Sequence, residues 1–111
     1  MNTQENNKLI AEFMGITPNE EGVYRISKHE GYSECHLSYH KEWNWLMPVV
    51  DKIESIDEDG FSYSIQVEYH SVVIWKHSDR FDSKRIIEVN GESKRSTTYN
   101  AVVEFINQFN K

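Results

Sequence analysis

Cysteine and long hydrophobic runs are the two features that this 111-residue sequence has least of. Cys35 is the single cysteine, so no internal disulfide can form, which is typical of a protein in a reducing compartment. No run approaches the ~20 apolar residues of a membrane-spanning helix, and the N-terminus lacks the basic start and apolar segment of a signal peptide. These absences predict a cytoplasmic protein without a membrane segment.

Catalytic signature motifs are also missing from the sequence. It contains no Gly-rich phosphate loop, no GxSxG elbow and no HExxH run. It also has no internal repeat and no low-complexity linker, and its 27% of charged residues is typical of a globular protein. We therefore expect a single domain over residues 1–111, and no cofactor.

The net charge of −6 is unevenly distributed. Residues 1–60 contain 5 Lys/Arg against 12 Asp/Glu, whereas residues 61–111 contain 7 against 6. An acidic chain is a poor general binder of nucleic acid, because phosphate contacts supply most non-specific affinity. The charge pattern is compatible with a basic protein partner, or with a small anionic ligand at a local basic patch.

Hydrophobic periodicity predicts three helices and five strands. Helical spacing marks residues 4–14, a central segment that includes Pro48, and a last helix that begins at Ser93 or Ser96 and runs to about Gln108. Alternating or continuous apolar runs predict strands at residues 22–27, 34–40, 61–69, 71–77 and 85–90. The order α-β-β-α-β-β-β-α indicates an α+β fold, with an antiparallel sheet of about four to five strands packed with three helices.

The central segment EWNWLMPVV raises the question of how two tryptophans and a proline fit one helix. Pro48 inside a helix removes a hydrogen bond and costs ~3 kcal/mol. We therefore expect the helix to begin near Met47, or to begin near Lys41 with a kink at Asn44. In both cases Trp43 and Trp45 anchor the helix entrance, and Trp45 is expected to be the more exposed of the two.

The histidines and the cysteine offer no clear reactive centre. On a strand, His36 and His40 would share a face but lie ~13 Å apart, too far to hold one metal ion. Cys35 falls in the apolar row of the same predicted strand, where it acts as a small hydrophobe. No metal site and no catalytic residue is predicted. An alternative is a small enzyme that uses His36, His40 or His70 as acid-base groups.

Two groups of residues are candidates for binding. A basic and aromatic region is the candidate for an anionic ligand; its members are Trp75, His77, Arg80, Lys84 and Arg85. An exposed indole next to an acidic turn is the candidate for a basic protein partner; its members are Trp45, Asp57, Glu58 and Asp59. For both groups, the alternative is an ordinary solvated surface.

Three stretches carry a resemblance to a known family: LIAEFMG (9–15), YHKEWNWLMPVVDKIES (39–55) and YNAVVEFINQFN (99–110). They resemble a family of small uncharacterised bacterial and bacteriophage proteins, similar to the phage ABA-sandwich domain proteins. The resemblance implies a helix–sheet–helix protein, often phage-borne, and it implies no reaction and no catalytic residues. The ending NQFN departs from the more aromatic ending that is usual for the family.

These observations together favour a non-enzymatic phage or mobile-element accessory protein that binds a host factor, for example to block a defence system. Its expected location is then the host cell cytosol. The alternative within binding is a protein that sequesters a nucleotide signal at the basic and aromatic region. A homo-oligomer is compatible with either role, because ligand pockets often form between subunits.

Overall fold

A computed structural model describes residues 3–25, 31–33, 36–58, 60–78 and 82–110. The three helices are α1 (Thr3–Phe13), α2 (Trp43–Ser55) and α3 (Lys94–Phe109). The strands are β1 (Val23–Arg25), β2 (Gly31–Ser33), β3 (Asp57–Glu58), β4 (Phe61–Val67), β5 (Ser71–Ser78) and β6 (Ser83–Asn90). The predicted α+β class and element order are confirmed, with the two-residue β3 as an addition.

The strands form two separate antiparallel sheets. The main sheet has the order β3-β4-β5-β6, so each strand pairs with its neighbour along the chain. Strands β1 and β2 form a separate two-stranded sheet, with Tyr24 opposite Tyr32, and Tyr24 also forms an isolated bridge with Pro18. The predicted sheet of four to five strands is therefore a four-stranded sheet, and the first two strands form a hairpin apart from it.

Helices α2 and α3 cover one face of the main sheet. Successive side chains of a strand point to opposite faces, so Val72 and Ile74 lie on one face and Val73 and Trp75 on the other. Val72, Ile74 and Ile87 belong to the same core as the buried residues of α2 and α3, whereas Val73 does not. We call these two sides the covered face and the open face.

The largest fully buried side chains show where the core lies. They come from all three helices, from β5 and from the segment before α2. They include Ile10, Leu37, Leu46, Val49, Ile53, Val72, Ile74, Val102, Phe105 and Ile106. The ring of Phe105 makes edge-on contacts with the rings of Tyr63 and Phe13, at centroid distances of 5.0 and 6.3 Å.

The strand predicted at residues 34–40 is wrong for the residues that the structure describes. Residues 36–42 form turns, with the Lys41 and Glu42 amides donating to the Ser38 carbonyl. Leu37 and Tyr39 are nevertheless buried, at 1% and 2% exposure. The alternation of apolar and polar residues in this segment therefore reflects burial of every second side chain, and not an extended backbone. Cys35 lies outside the described residues.

Helix α2 begins at Trp43, two residues after the predicted start near Lys41 and not near Met47, so Pro48 lies inside the helix. The predicted order of tryptophan exposure is wrong. Trp45 is partly buried, with its ring 4.8 Å from that of Tyr32 and 5.2 Å from that of Tyr39, whereas Trp43 is 36% exposed. The anchor is therefore Trp45, and it contacts the small hairpin and the turn before α2.

The ends of the other two helices follow the sequence signals. Gly15, just after α1, has φ +78°, a conformation that glycine adopts without strain. Ser93 caps α3, because its Oγ accepts a hydrogen bond from the Ser96 amide at 3.1 Å. These two signals explain why the C-terminal end of α1 and the N-terminal end of α3 could be predicted from the sequence.

Candidate functional site

The sheet separates the residues of the predicted anion site. Trp75 and Arg85 are direct cross-strand neighbours on the open face, and His77 follows Trp75 on the same face. Lys84 lies opposite Lys76 on the covered face. Arg80 lies outside the described residues. The predicted site is therefore not one cluster in the described part of the chain, since its cations face opposite sides of the sheet.

A β-bulge causes this separation. Ile74 pairs with Ile87, but Trp75 pairs with Arg85, so Ile86 is an extra residue in β6. A regular ladder would have placed Arg85 opposite Lys76 and turned it toward the helices. The bulge instead brings Lys84 to the covered face and leaves Arg85 exposed.

The open face carries a row of hydrogen-bonded polar side chains. His77 Nε2 lies 2.8 Å from Ser64 Oγ, and its Nδ1 lies 2.7 Å from Ser83 Oγ. A neutral imidazole can donate to one serine and accept from the other. Arg85 forms an exposed ion pair with Glu88 at 3.2 Å. The group that orients His77 is a hydroxyl and not a carboxylate, so this row lacks the third member of a Ser-His-Asp triad.

Two adjoining clefts lie on the covered face, at the end of the sheet that carries Phe61 and Tyr63 of β4. The larger has a volume of about 390 Å³ and is lined by Phe61, Lys76, Ser78, Asp82, Lys84 and Ile86. The smaller has a volume of about 150 Å³ and shares Lys76 and Ile86 with the first. The volume of the larger cleft falls within the range of small-ligand sites, ~300–1,000 Å³. Sequence reasoning missed this grouping, apart from Lys84.

The histidines considered as acid-base groups are held in three different environments. Ser33 Oγ lies 2.8 Å from His36 Nδ1, and the Gly91 carbonyl lies 3.2 Å from His70 Nδ1. His40 belongs to a third group, centred on Asn7. Within the residues that the structure describes, no three His, Cys, Asp or Glu side chains are grouped so that they could hold a metal ion.

The group around Asn7 connects α1, the turn before α2, and α3. The Asn7 amide donates to the Leu37 carbonyl and to His40 Nδ1, both at 2.9 Å, and its Oδ1 accepts from the Tyr99 hydroxyl at 2.9 Å. Burial, and then the charges of Lys41 and Arg95, lower the pKa of His40. Burial raises the pKa of Tyr99 to about 12. These shifts favour the neutral forms, so we interpret the group as structural.

The outward side of α2 carries an apolar pair followed by carboxylates. Trp43 and Met47 are 36% and 43% exposed, and they lie one helical turn apart. Asp51 and Glu54 continue the same exposed side of the helix. We call these four residues the outer α2 surface. The i, i+4 spacing of Trp43, Met47 and Asp51 was the sequence signal that could have identified it.

The residues predicted to bind a partner lie partly beside this surface. Asp57 and Glu58 form the exposed strand β3, which begins two residues after α2 ends. Trp45 points into the structure, and Asp59 lies outside the described residues. The acidic residues of the prediction thus follow the C-terminal end of α2, whereas the exposed indole is Trp43, the first residue of the same helix.

Comparisons with known protein families, curated proteins and solved structures find no match for this chain. None of the helices in the described part of the chain combines the length and apolar character needed to cross a lipid bilayer.

Proposed function

We propose that this protein is a non-enzymatic binding protein that docks a partner protein on the outer α2 surface. The observation that carries the proposal is the pair of exposed large apolar side chains, Trp43 and Met47, on one side of a helix. The opposite side of α2 is fixed in the core by Leu46, Val49 and Ile53, so the outward pair is held on a rigid element.

The chemistry of the surface defines the partner. Tryptophan is enriched among the residues that dominate binding energy, and methionine adapts its shape to an apolar surface. Asp51 and Glu54 follow this pair on the exposed side of α2, toward its C-terminal end, and Asp57 and Glu58 come next in β3. Glu54 also accepts a hydrogen bond from the Ile65 amide at 3.2 Å. A complementary partner therefore has an apolar pocket for Trp43, with Lys or Arg along one side.

The proposed context is that of a phage or mobile-element accessory protein in the cytosol of the host cell. Its support is the resemblance of the three quoted stretches to bacteriophage proteins. The partner would then be a host factor, and interference with a defence system is a role that suits a small binding protein. The separate, internally hydrogen-bonded positions of His36, His40 and His70 also support binding over acid-base catalysis.

The experiment is an affinity capture from bacterial lysate with the wild-type protein, a double variant and a matched control. The double variant carries Trp43→Ala and Met47→Ala. The control is Asn44→Ala, which changes an exposed residue of the same helix. We expect wild type and control to retain one partner in stoichiometric amount, and the double variant to lose it. Loss of a central tryptophan lowers affinity by about 30-fold or more.

Equal recovery of the partner by the double variant would place the contact elsewhere on the molecule. The captured partner should also bind more weakly at 0.5 M salt than at 0.05 M, because the acidic residues contribute through a screened interaction. Circular dichroism of each variant verifies that the fold is intact before capture.

A further inference from the structure

We propose that the two adjoining clefts of the covered face form one site for a small phosphate ester with a planar ring, such as a nucleoside monophosphate. The phosphate lies between Lys76 and Lys84, and the ring lies against the aromatic residues of the smaller cleft. This site is distinct from the outer α2 surface and does not depend on the function proposed above.

The phosphate half is defined by two lysines on neighbouring strands, of which Lys76 has its Nζ over the Phe61 ring, 4.1 Å from the ring centroid. Lys76 and Lys84 are direct partners in the β5–β6 ladder, and both line the larger cleft. Like charges in this position repel each other, which destabilises the strand pair. Within the described part of the chain, neither ammonium forms an ion pair. An anion between them replaces repulsion with two charge-assisted contacts.

A third polar group belongs to the residues of the same cleft. Ser78 lines the larger cleft, and its Oγ is buried and makes no hydrogen bond to any described residue. A buried hydroxyl without a partner is unfavourable, so a ligand oxygen that bonds to it would remove that cost. Two ammonium groups and one hydroxyl match the three acceptor oxygens of a phosphoryl group better than the two of a carboxylate.

The charge of the anion is limited by Asp82, which also lines the larger cleft. One carboxylate beside two lysines leaves the lining with a net charge of only +1, which suits a monophosphate better than a triphosphate. The site therefore selects against highly charged nucleotides.

The ring half is the smaller cleft, lined by Tyr63, Lys76, Ile86, Phe105, Gln108 and Phe109. Phe109 stacks on Phe105 at a centroid distance of 5.5 Å and lies nearly perpendicular to the rings of Phe13 and Tyr63, at 6.1 and 6.4 Å. It is still 37% exposed, which leaves aromatic surface for contact with a planar ligand. Such stacking is tolerant of the identity of the base. The Gln108 amide supplies a donor and an acceptor for the edge of a base.

Three probes separate the two halves of the site: AMP, adenosine and inorganic phosphate. The measurement is the melting temperature of the full chain at increasing probe concentration, followed by isothermal titration calorimetry. We expect AMP to raise Tm by several degrees at a hundredfold excess over its Kd. Adenosine and inorganic phosphate should each bind at least tenfold more weakly than AMP.

Four variants assign the contacts. Lys84→Gln should lower AMP affinity about tenfold or more, through loss of a charge-assisted contact. Ser78→Ala should weaken AMP binding but raise the Tm of the unliganded protein, because it removes the unpaired hydroxyl. Asp82→Asn should strengthen AMP binding. Arg85→Gln is the matched control, since it removes the neighbouring cation of β6 on the open face, and it should leave AMP affinity unchanged.

Absence of a Tm shift with millimolar AMP would overturn the proposal. Loss of AMP affinity in Arg85→Gln, with AMP affinity retained in Lys84→Gln, would also overturn the proposal and would place the anion on the open face. Equal affinities for AMP and inorganic phosphate would reject the ring half. The Trp43→Ala, Met47→Ala double variant should bind AMP normally, so failure of either proposal leaves the other intact.

Discussion

Replacement of Asn7 by alanine tests the buried polar group that connects α1, α3 and the turn before α2. Asn7 is 2% exposed and makes three hydrogen bonds of 2.9 Å, to Leu37, His40 and Tyr99. Asn7→Ala leaves the Leu37 carbonyl without its side-chain donor, in a residue that is 1% exposed. The Tyr99 hydroxyl loses its shortest hydrogen bond and keeps a longer contact of 3.4 Å with the Thr3 carbonyl, beside the Asn6 side chain.

The expected loss in the free energy of unfolding of Asn7→Ala follows from the Leu37 carbonyl and the Tyr99 hydroxyl. A buried polar group left without a partner costs about 1–3 kcal/mol. The Leu37 carbonyl loses its side-chain donor and the Tyr99 hydroxyl loses its shortest hydrogen bond, so the total is about 2–4 kcal/mol after a small gain in helix propensity. This is a large share of the ~5–15 kcal/mol by which a protein is usually stable. With an m-value of about 2 kcal/mol/M in urea, the unfolding midpoint should fall by about 1–2 M.

Urea unfolding followed by tryptophan fluorescence measures this midpoint. Asn44→Ala, an exposed asparagine of α2, is the matched control and should change stability by less than about 0.5 kcal/mol. A double-mutant cycle with Tyr99→Phe should show a coupling of about 1 kcal/mol, because both changes remove the same hydrogen bond. A loss below about 1 kcal/mol in Asn7→Ala, or strict additivity in the cycle, would refute this role for Asn7.

Two further predictions concern pH and Pro48. Because the folded protein lowers the pKa of His40, the unfolded chain binds the proton more readily, and the stability contributed by neutral His40 is complete only above its unfolded pKa of ~6.5. The free energy of unfolding should therefore fall as the pH decreases from about 6.5 through the lower folded pKa, and His40→Gln should remove this part of the slope; an unchanged slope contradicts the assignment. Pro48 is exposed and interrupts the hydrogen bonding of α2, so Pro48→Ala should raise Tm by several degrees in differential scanning calorimetry, at about 1–3 kcal/mol. A lower Tm would show that the proline ring makes a stabilising contact.

Local sequence signals predicted most of the secondary structure. The alternation in residues 61–69 and the apolar run in residues 71–77 correspond to β4 and β5, because adjacent strands joined by a short connection pair with each other. The exception, residues 34–40, shows the limit of such signals. Leu37 and Tyr39 are buried alternately without strand geometry, since a turn packed on the core can also place every second side chain inside.

The sequence by itself determined the α+β class, the ends of α1 and α3, and the location of the acidic residues beside α2, because helix caps, periodicity and charge act over a few neighbouring positions. Only the tertiary structure decided which tryptophan is exposed, since packing of Trp45 against Tyr32 and Tyr39 sets the rotation of α2. It also decided that Lys84 and Arg85 face opposite sides of the sheet. One extra residue at the bulge fixes that choice, and it depends on the pairing of β5 with β6 and not on the local sequence of either strand.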